Sequence, residues 1–381
     1  VSTPPRIVVA PDSFKGTVPA REVAERVRRG LLRALPGAEV VALPVADGGE
    51  GTLEALAAGG AALQDAEVSG PLGRPVRARW ARTGDGAGGA TAYVESAQAA
   101  GLALLDPGPA TALAATTRGV GELVLAALDA GCTALVLGLG GTSTTDGGAG
   151  LARALGARLL DADGHEVREE GGGALHRVAA VDRAGLHPRL AGLTVTVACD
   201  VDNPLLGEHG AAAVFAPQKG AGPDEVRRLE EGLRAWSTAL APDLVDRPGA
   251  GAAGGLAFAA AALLGARSAS GAELVMDLLG LDEAVRGAHL VVVGEGSLDA
   301  QSLRGKAPLA VAARARSAGA VVAAVAGRVA LDEAALRAAG IERALSLVDA
   351  AGSAGRASAD GPTLLEQQGE ALGRWWRERT P

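Results

Sequence analysis

Apolar residues fall into short β-branched runs separated by stretches where they recur every third or fourth position. Ile7–Ala10 predicts a first strand. The segment from about Pro19 to Leu35 predicts a helix, with Val23, Val27, Leu31 and Leu35 on one face and Thr17 placed to cap it. Val40–Val45 reads as the next strand, and another helix begins near Thr52. Towards the other end come a strand at Leu290–Val293, a helix around Pro308–Ala318, a strand at Val321–Val325, a helix over Asp332–Ala339 and a strand at Ala344–Val348. Apolar strands alternating with helices predict a parallel sheet covered on both faces.

The middle of the chain has a different texture. Ser69–Val76 is rich in Gly and Pro, and the segments around Val76–Ala81 and Thr91–Glu95 alternate as antiparallel strands do. Further strands are expected at Ala134–Leu137, Leu193–Ala198 and Ala213–Phe215. The expected fold is therefore α/β: a discontinuous doubly wound parallel-sheet domain made from residues 1–66 and 288–381, with a second α/β domain, 67–287, inserted in it.

Composition narrows the function. Aromatic residues are 2% of the 381 and the net charge is −8, so the chain lacks the stacking platforms and basic face of a nucleic-acid binder. The uncharged stretch Pro248–Ala266 is mostly Gly and Ala and reads as a packed helix with its approach loop, not a membrane span. No apolar signal core precedes the first strand, and Cys132 and Cys199 show no ligand spacing. A soluble, cytoplasmic protein is expected. A homodimer is compatible with the sequence but not required by it.

The chemistry lies at the predicted strand ends, where open parallel sheets bind ligands. They carry Asp12-Ser13-Phe14-Lys15-Gly16, Asp47-Gly48-Gly49-Glu50-Gly51-Thr52 and Gly294-Glu295-Gly296-Ser297-Leu298-Asp299. Two more are Gly140-Gly141-Thr142-Ser143-Thr144-Thr145-Asp146-Gly147-Gly148 and Cys199-Asp200-Val201-Asp202-Asn203. Any one of these acids or hydroxyls could be a helix cap and any Gly-Gly a tight turn; five such turns together point to a site. Glycines let backbone N–H groups approach phosphate oxygens, which makes 138–150 the best phosphate cradle. It is not a Walker A loop, since Gly305-Lys306 lacks the leading glycine. The GxGxxG at Gly249–Gly254 follows a poor strand and is a weak dinucleotide fingerprint. The carboxylates suit Mg²⁺. Lys15, Lys219, Arg304 and Lys306 are the cations available to a phosphate or a substrate carboxylate.

At these turns the sequence resembles the bacterial type I glycerate kinase family. The blocks that carry the likeness are IVVAPDSFKGTVPAREVA, LPVADGGEGT, LGLGGTSTTDGGAGLARALGA, ACDVDNPLLGEHGAAAVFAPQKGA, GAAGGLAFAAAALLGA and VVVGEGSLDAQSLRGKAPLAVA. The resemblance implies a flavodoxin-like domain formed by both chain ends, an inserted domain loosely like restriction endonucleases, and an active site in the cleft between them. It implies transfer of the ATP γ-phosphate to D-glycerate, usually at the 2-hydroxyl, with Mg²⁺. Asp12, Ser13 and Lys15 would then lie near glycerate or the transferred phosphate, and Asp47 and Glu50 near the metal. Gly140–Gly148, with Gly294, Glu295 and Gly296, would face the nucleotide, and Asp200 would orient or deprotonate the hydroxyl and stand near the metal. The remaining substrate contacts would come from Asp202, Asn203, Lys219, Arg304 and Lys306. Thr142, Thr144-Thr145 and Gly327-Arg328-Val329 depart from the residues usual in the family. Competing readings are a non-catalytic two-domain organic-acid binder, which would bind glycerate without turnover, and a dehydrogenase built on Gly249–Gly254.

Overall fold

In the computed structural model the helix Ala20–Ala34 buries Val23, Val27 and Leu31 of the expected stripe, with Ala24 and Ala34 beside them, while Leu35 falls at the C-cap and is half-buried. That stripe meets the helix Gly361–Arg379 at close range. A Cβ on Gly30 would lie 2.0 Å from the Glu366 carbonyl oxygen, and one on Gly369 would lie 2.4 Å from that of Val27. Gly30→Ala should therefore destabilise by about 1–3 kcal/mol in urea unfolding, because the steric cost outweighs the better helix propensity of alanine. A stability equal to or above that of the parent would refute this packing. The structure describes residues 4–14, 17–49, 51–84, 89–300, 302–304 and 307–379, with the backbone alone for Arg304.

The chain divides into two units, 1–47 with 54–60 and 272–381, and 48–53 with 61–271. In the first unit a five-stranded sheet runs Arg343–Ser346, Val321–Val329, Leu290–Leu298, Arg6–Pro11, Glu39–Ala42, every neighbouring pair parallel. Numbered within the unit, the order is 2-1-3-4-5, the flavodoxin-like order. It reverses between Arg6–Pro11 and Leu290–Leu298. Ile7, Val9, Leu290 and Val292 of the central strands are fully buried with Val23, Val27 and Leu31 of the first helix and Leu365 and Leu372 of the last.

The second unit holds a six-stranded mixed sheet. Four strands, Ala90–Glu95, Cys132–Gly138, Thr194–Ala198 and Arg267–Ala269, are parallel, and Pro75–Thr83 and Ala62–Ser69 extend it antiparallel. Helices Arg118–Asp129 and Ala252–Leu264 pack on this sheet through Leu123, Val124, Leu256 and Ala260. A separate apolar cluster gathers Trp236, Leu229 and Leu233 with Phe258.

Several elements differ from expectation. Ala213–Phe215 lies within a short helix, Ala211–Phe215, whose Ala211 and Ala212 are buried; a brief apolar run has no period to distinguish the two. The first helix is led by Pro19 with no side-chain cap, and the Thr17 hydroxyl donates instead to the Phe14 carbonyl. Expected unit boundaries at 66/67 and 287/288 give way to 60/61 and 271/272. Ala62–Ser69 pairs with Pro75–Thr83 and so joins the second unit. The helix Gly271–Leu278 is tied to Ala307–Ser317 of the first unit by Arg314, which pairs with Glu273, with Asp277 at 2.6 Å and with Asp282 at 3.4 Å. Among the described residues no helix is long and apolar enough to cross a membrane.

Candidate active site

The first unit places its polar strand ends at the switch point. The Asp12 backbone N–H donates to the Gly294 carbonyl at 2.8 Å, continuing the ladder between the two strands that flank the reversal. Leu43 and Val45 donate to Val9 and Pro11, which carries the chain up to Asp47 alongside them. Gly294 is demanded by close approach, since a Cβ there would lie 2.6 Å from the Val325 carbonyl oxygen. A cavity of about 480 Å³ opens at this end of the sheet.

Its polar wall is Asp12, Ser13, Asp47, Glu295, Ser297, Asp299 and Arg328. Asp12 and Glu295 are buried, Asp47 is half-buried and Arg328 is exposed. The Asp12 carboxylate accepts from the Ser13 N–H at 2.6 Å, and Asp299 accepts from the Ser297 hydroxyl at 2.9 Å. Among the described residues the Arg328 side chain has neither an ion pair nor a hydrogen bond, while its backbone lies in the ladder opposite Ser297. Among the expected site residues the structure thus gathers Asp12, Ser13, Asp47, Glu295 and Gly296 around one space, with Gly294 beneath. Ser297, Asp299 and Arg328 join them without having been singled out. Ser297 and Asp299 stood in a flagged strand end, and Arg328 stood out only as a departure from a family pattern.

In the second unit the loop after Cys132–Gly138 is built differently from an open cradle. Gly140 and Gly141 are exposed at its tip, but Thr142, Ser143, Thr144, Asp146, Gly147 and Gly148 are buried. Its N–H groups are largely committed within the unit: Ser143 to the Ala100 carbonyl, Gly147 to that of Gly254, and Gly148 to the Asp146 carboxylate. The Ser143 hydroxyl donates to the same Ala100 carbonyl. The cradle open to a ligand is thus narrower than the sequence suggested, because a buried loop spends its own donors on its own acceptors.

Asp146 organises that loop. It is fully buried and accepts from the Thr117 N–H and hydroxyl, both at 2.8 Å, and from the N–H groups of Gly148 and Gly150, both at 3.1 Å. Burial raises its pKa, against the pull of those donors. Lys219 is buried too, and its ammonium donates to the Thr144 carbonyl at 2.6 Å. Desolvation pushes its pKa down to about 8, with the negative charge of Asp146 opposing. Expected as substrate or cofactor contacts, these two side chains are buried and bonded to the loop from within.

Asp200 and Asp202 are exposed after the strand Thr194–Ala198. One Asp200 oxygen accepts from the Gly271 N–H at 3.3 Å, and the Asn203 amide donates to the His209 carbonyl at 2.9 Å. The GxGxxG glycines follow no strand: Pro242–Leu244 is a 3-10 turn, and a Cβ on Gly254 would lie 2.0 Å from the Thr144 carbonyl oxygen. They are packing glycines, which removes the ground for a dehydrogenase. Lys15, Glu50 and Lys306 lie outside the described residues, and Arg304 enters only by its backbone in the short helix Ser302–Arg304.

A switch-point cavity walled by carboxylates and hydroxyls marks a place for a polar ligand, and comparison with known proteins gives the class. The glycerate kinase family model matches residues 7–377. A protein of Escherichia coli K12 named glycerate 2-kinase is 44% identical, over 91% of this chain and 92% of its own length. A Bacillus subtilis 168 protein named glycerate kinase is also 44% identical, over 91% of each chain. A crystal structure from Salmonella typhimurium LT2, described as that of a “putative glycerate kinase 2”, superposes with a TM-score of 0.86 at 38% identity, covering 98% of this chain and 99% of the other. The chain belongs to the glycerate kinase family, and is accordingly an enzyme rather than a non-catalytic binder.

Proposed function

We propose that the protein transfers the terminal phosphoryl group of ATP, carried with Mg²⁺, to the 2-hydroxyl of D-glycerate in the cytoplasm. The observation that carries this reading is the cavity where the parallel sheet of a glycerate kinase family member reverses its strand order, walled by Asp12, Asp47, Glu295 and Asp299 together with Ser13, Ser297 and Arg328. The 2-hydroxyl is favoured by the name of the Escherichia coli relative.

The donor set fits Mg²⁺. The cavity's acidic side chains offer oxygen only, and among the described residues the one group of three ligands with atoms within 4.8 Å of one another is Asp161, Asp163 and His165, outside this cavity. An all-protein cage is therefore not formed there; an ion held by one or two carboxylates, waters and phosphate oxygens suits such a wall. Asp47, with Glu50 beside it in sequence, would hold the ion, which supplies charge neutralisation on the phosphates.

The chain's own residues do the rest. In this reading Ser13 and Asp12 orient the acceptor or the transferred group, Lys15 and Arg328 meet its negative charge, and Gly140 and Gly141 offer backbone donors at an exposed loop tip. Asp200, braced by the Gly271 N–H, orients the attacking hydroxyl and takes its proton. Family membership sets the reaction class, and positioning with electrostatics is what phosphoryl transfer asks of a protein.

Phosphorus NMR of the product from ATP, Mg²⁺ and D-glycerate tests activity and regiochemistry at once. A phosphate on C2 couples to one proton and gives a doublet; a triplet would place it on C3, and no new resonance would refute the reaction.

A further inference from the structure

The switch-point cavity has a second, apolar wall that glycerate does not explain. The same cavity is also lined by Phe14, Val18, Leu347, Val348, Ala354 and Ala357. The first three are buried, Val348 is half-buried and Ala354 is exposed at the rim. At about 480 Å³ the space falls in the range of about 300–1,000 Å³ typical of sites for drug-sized ligands. Glycerate has three carbons, each bearing oxygen, and would neither fill that volume nor profit from an aliphatic and aromatic wall. A ligand matched to both walls has a flat, weakly polar body at one end and, at the other, phosphates carried with a divalent cation that the carboxylates can hold.

We infer that this cavity of the first unit seats the nucleoside of the phosphate donor, its base against Phe14, Leu347 and Val348 and its phosphates towards Arg328 and the strand ends at Asp12 and Glu295. The inference rests on the reading of the protein as an ATP-dependent kinase and locates the donor within it. Arg328 fits the role: it lines the cavity, its side chain has no described partner, and its fork of donors matches phosphate oxygens. The exposed glycines of the second unit are then left for backbone contacts to phosphate or acceptor, not for the base.

Ala354→Trp and Ser358→Trp test this, because both positions are exposed on the short helix Ala354–Ala359 and line the cavity, so the added ring enters the space without disturbing the core. ADP affinity is measured by titration calorimetry with Mg²⁺ and no glycerate, and KM for glycerate at saturating ATP. With unchanged circular dichroism, at least one variant should bind ADP about tenfold or more weakly, with the glycerate KM within about twofold of the parent. ADP affinity unchanged in both variants would overturn the inference, as would a rise confined to the glycerate KM, which would give the cavity to the acceptor. Failure of the parent to bind ADP would also overturn it. A parent that binds ADP, loses that binding in the variants, yet does not phosphorylate glycerate would uphold the seat and reject the proposed reaction.

Discussion

Asp146→Ala should lower the stability of the second unit by about 3–5 kcal/mol, the loss expected when one partner of a buried charged network is removed. The substitution strands the N–H and hydroxyl of Thr117 and the N–H groups of Gly148 and Gly150, and leaves the Lys219 ammonium buried without the nearby negative charge that supports it. Each stranded donor costs its desolvation, about 1–3 kcal/mol before the loop relaxes or water enters. Urea unfolding followed by far-UV circular dichroism reads the loss. Burial holds the Asp146 pKa above the ordinary 3.8. The folded state therefore binds this proton more tightly than the unfolded one. The parent gains from the group as pH falls from the folded value towards 3.8, and the gap to the alanine variant should widen over that window. Unchanged stability with a raised KM for ATP would instead make Asp146 a nucleotide contact.

Asp200→Asn should lower kcat by about a hundredfold or more, the contribution expected of a general base, while KM for ATP stays close to that of the parent. Asparagine keeps the size of the side chain and an oxygen that can accept from the Gly271 N–H, held at 3.3 Å in the parent, so the turn after Thr194–Ala198 is preserved and only the basicity is lost. Steady-state kinetics across pH separates the roles. If the carboxylate is the base, the acidic limb of the kcat profile should disappear in the variant. Near-normal turnover would remove Asp200 from the chemistry, and a loss confined to KM for glycerate would make it a binding residue.

How far the sequence shows this protein depends on the kind of signal. Strands such as Ile7–Ala10 and Leu290–Val293 are visible because a strand buried on both faces must be apolar throughout, and the first helix because Val23, Val27 and Leu31 repeat with its period. The carboxyl ends of such strands are where an open parallel sheet can receive a ligand, and Asp12, Asp47 and Glu295 do line one cavity there. The apolar wall was invisible, since Leu347, Val348 and Ala357 read like any core residue. The loop at 140–150 misleads for a related reason: glycine and hydroxyl composition cannot tell donors aimed at a ligand from donors consumed by neighbours such as Ala100 and Asp146. Lys219 looked like a free cation because only tertiary structure reveals the Thr144 carbonyl waiting for it.

The pairing of Ala20–Ala34 with Gly361–Arg379 bears on events at the ribosome. Residues 61–271 emerge as one uninterrupted run and hold nearly all of their unit, so that unit can consolidate while synthesis continues. The strand Arg6–Pro11 and the helix after it must wait, because Leu290–Leu298 and the final helix complete their surroundings. Residues 6–34, made before 61–271, are thus enclosed after them, and stay open to chaperones longer than the unit made in between.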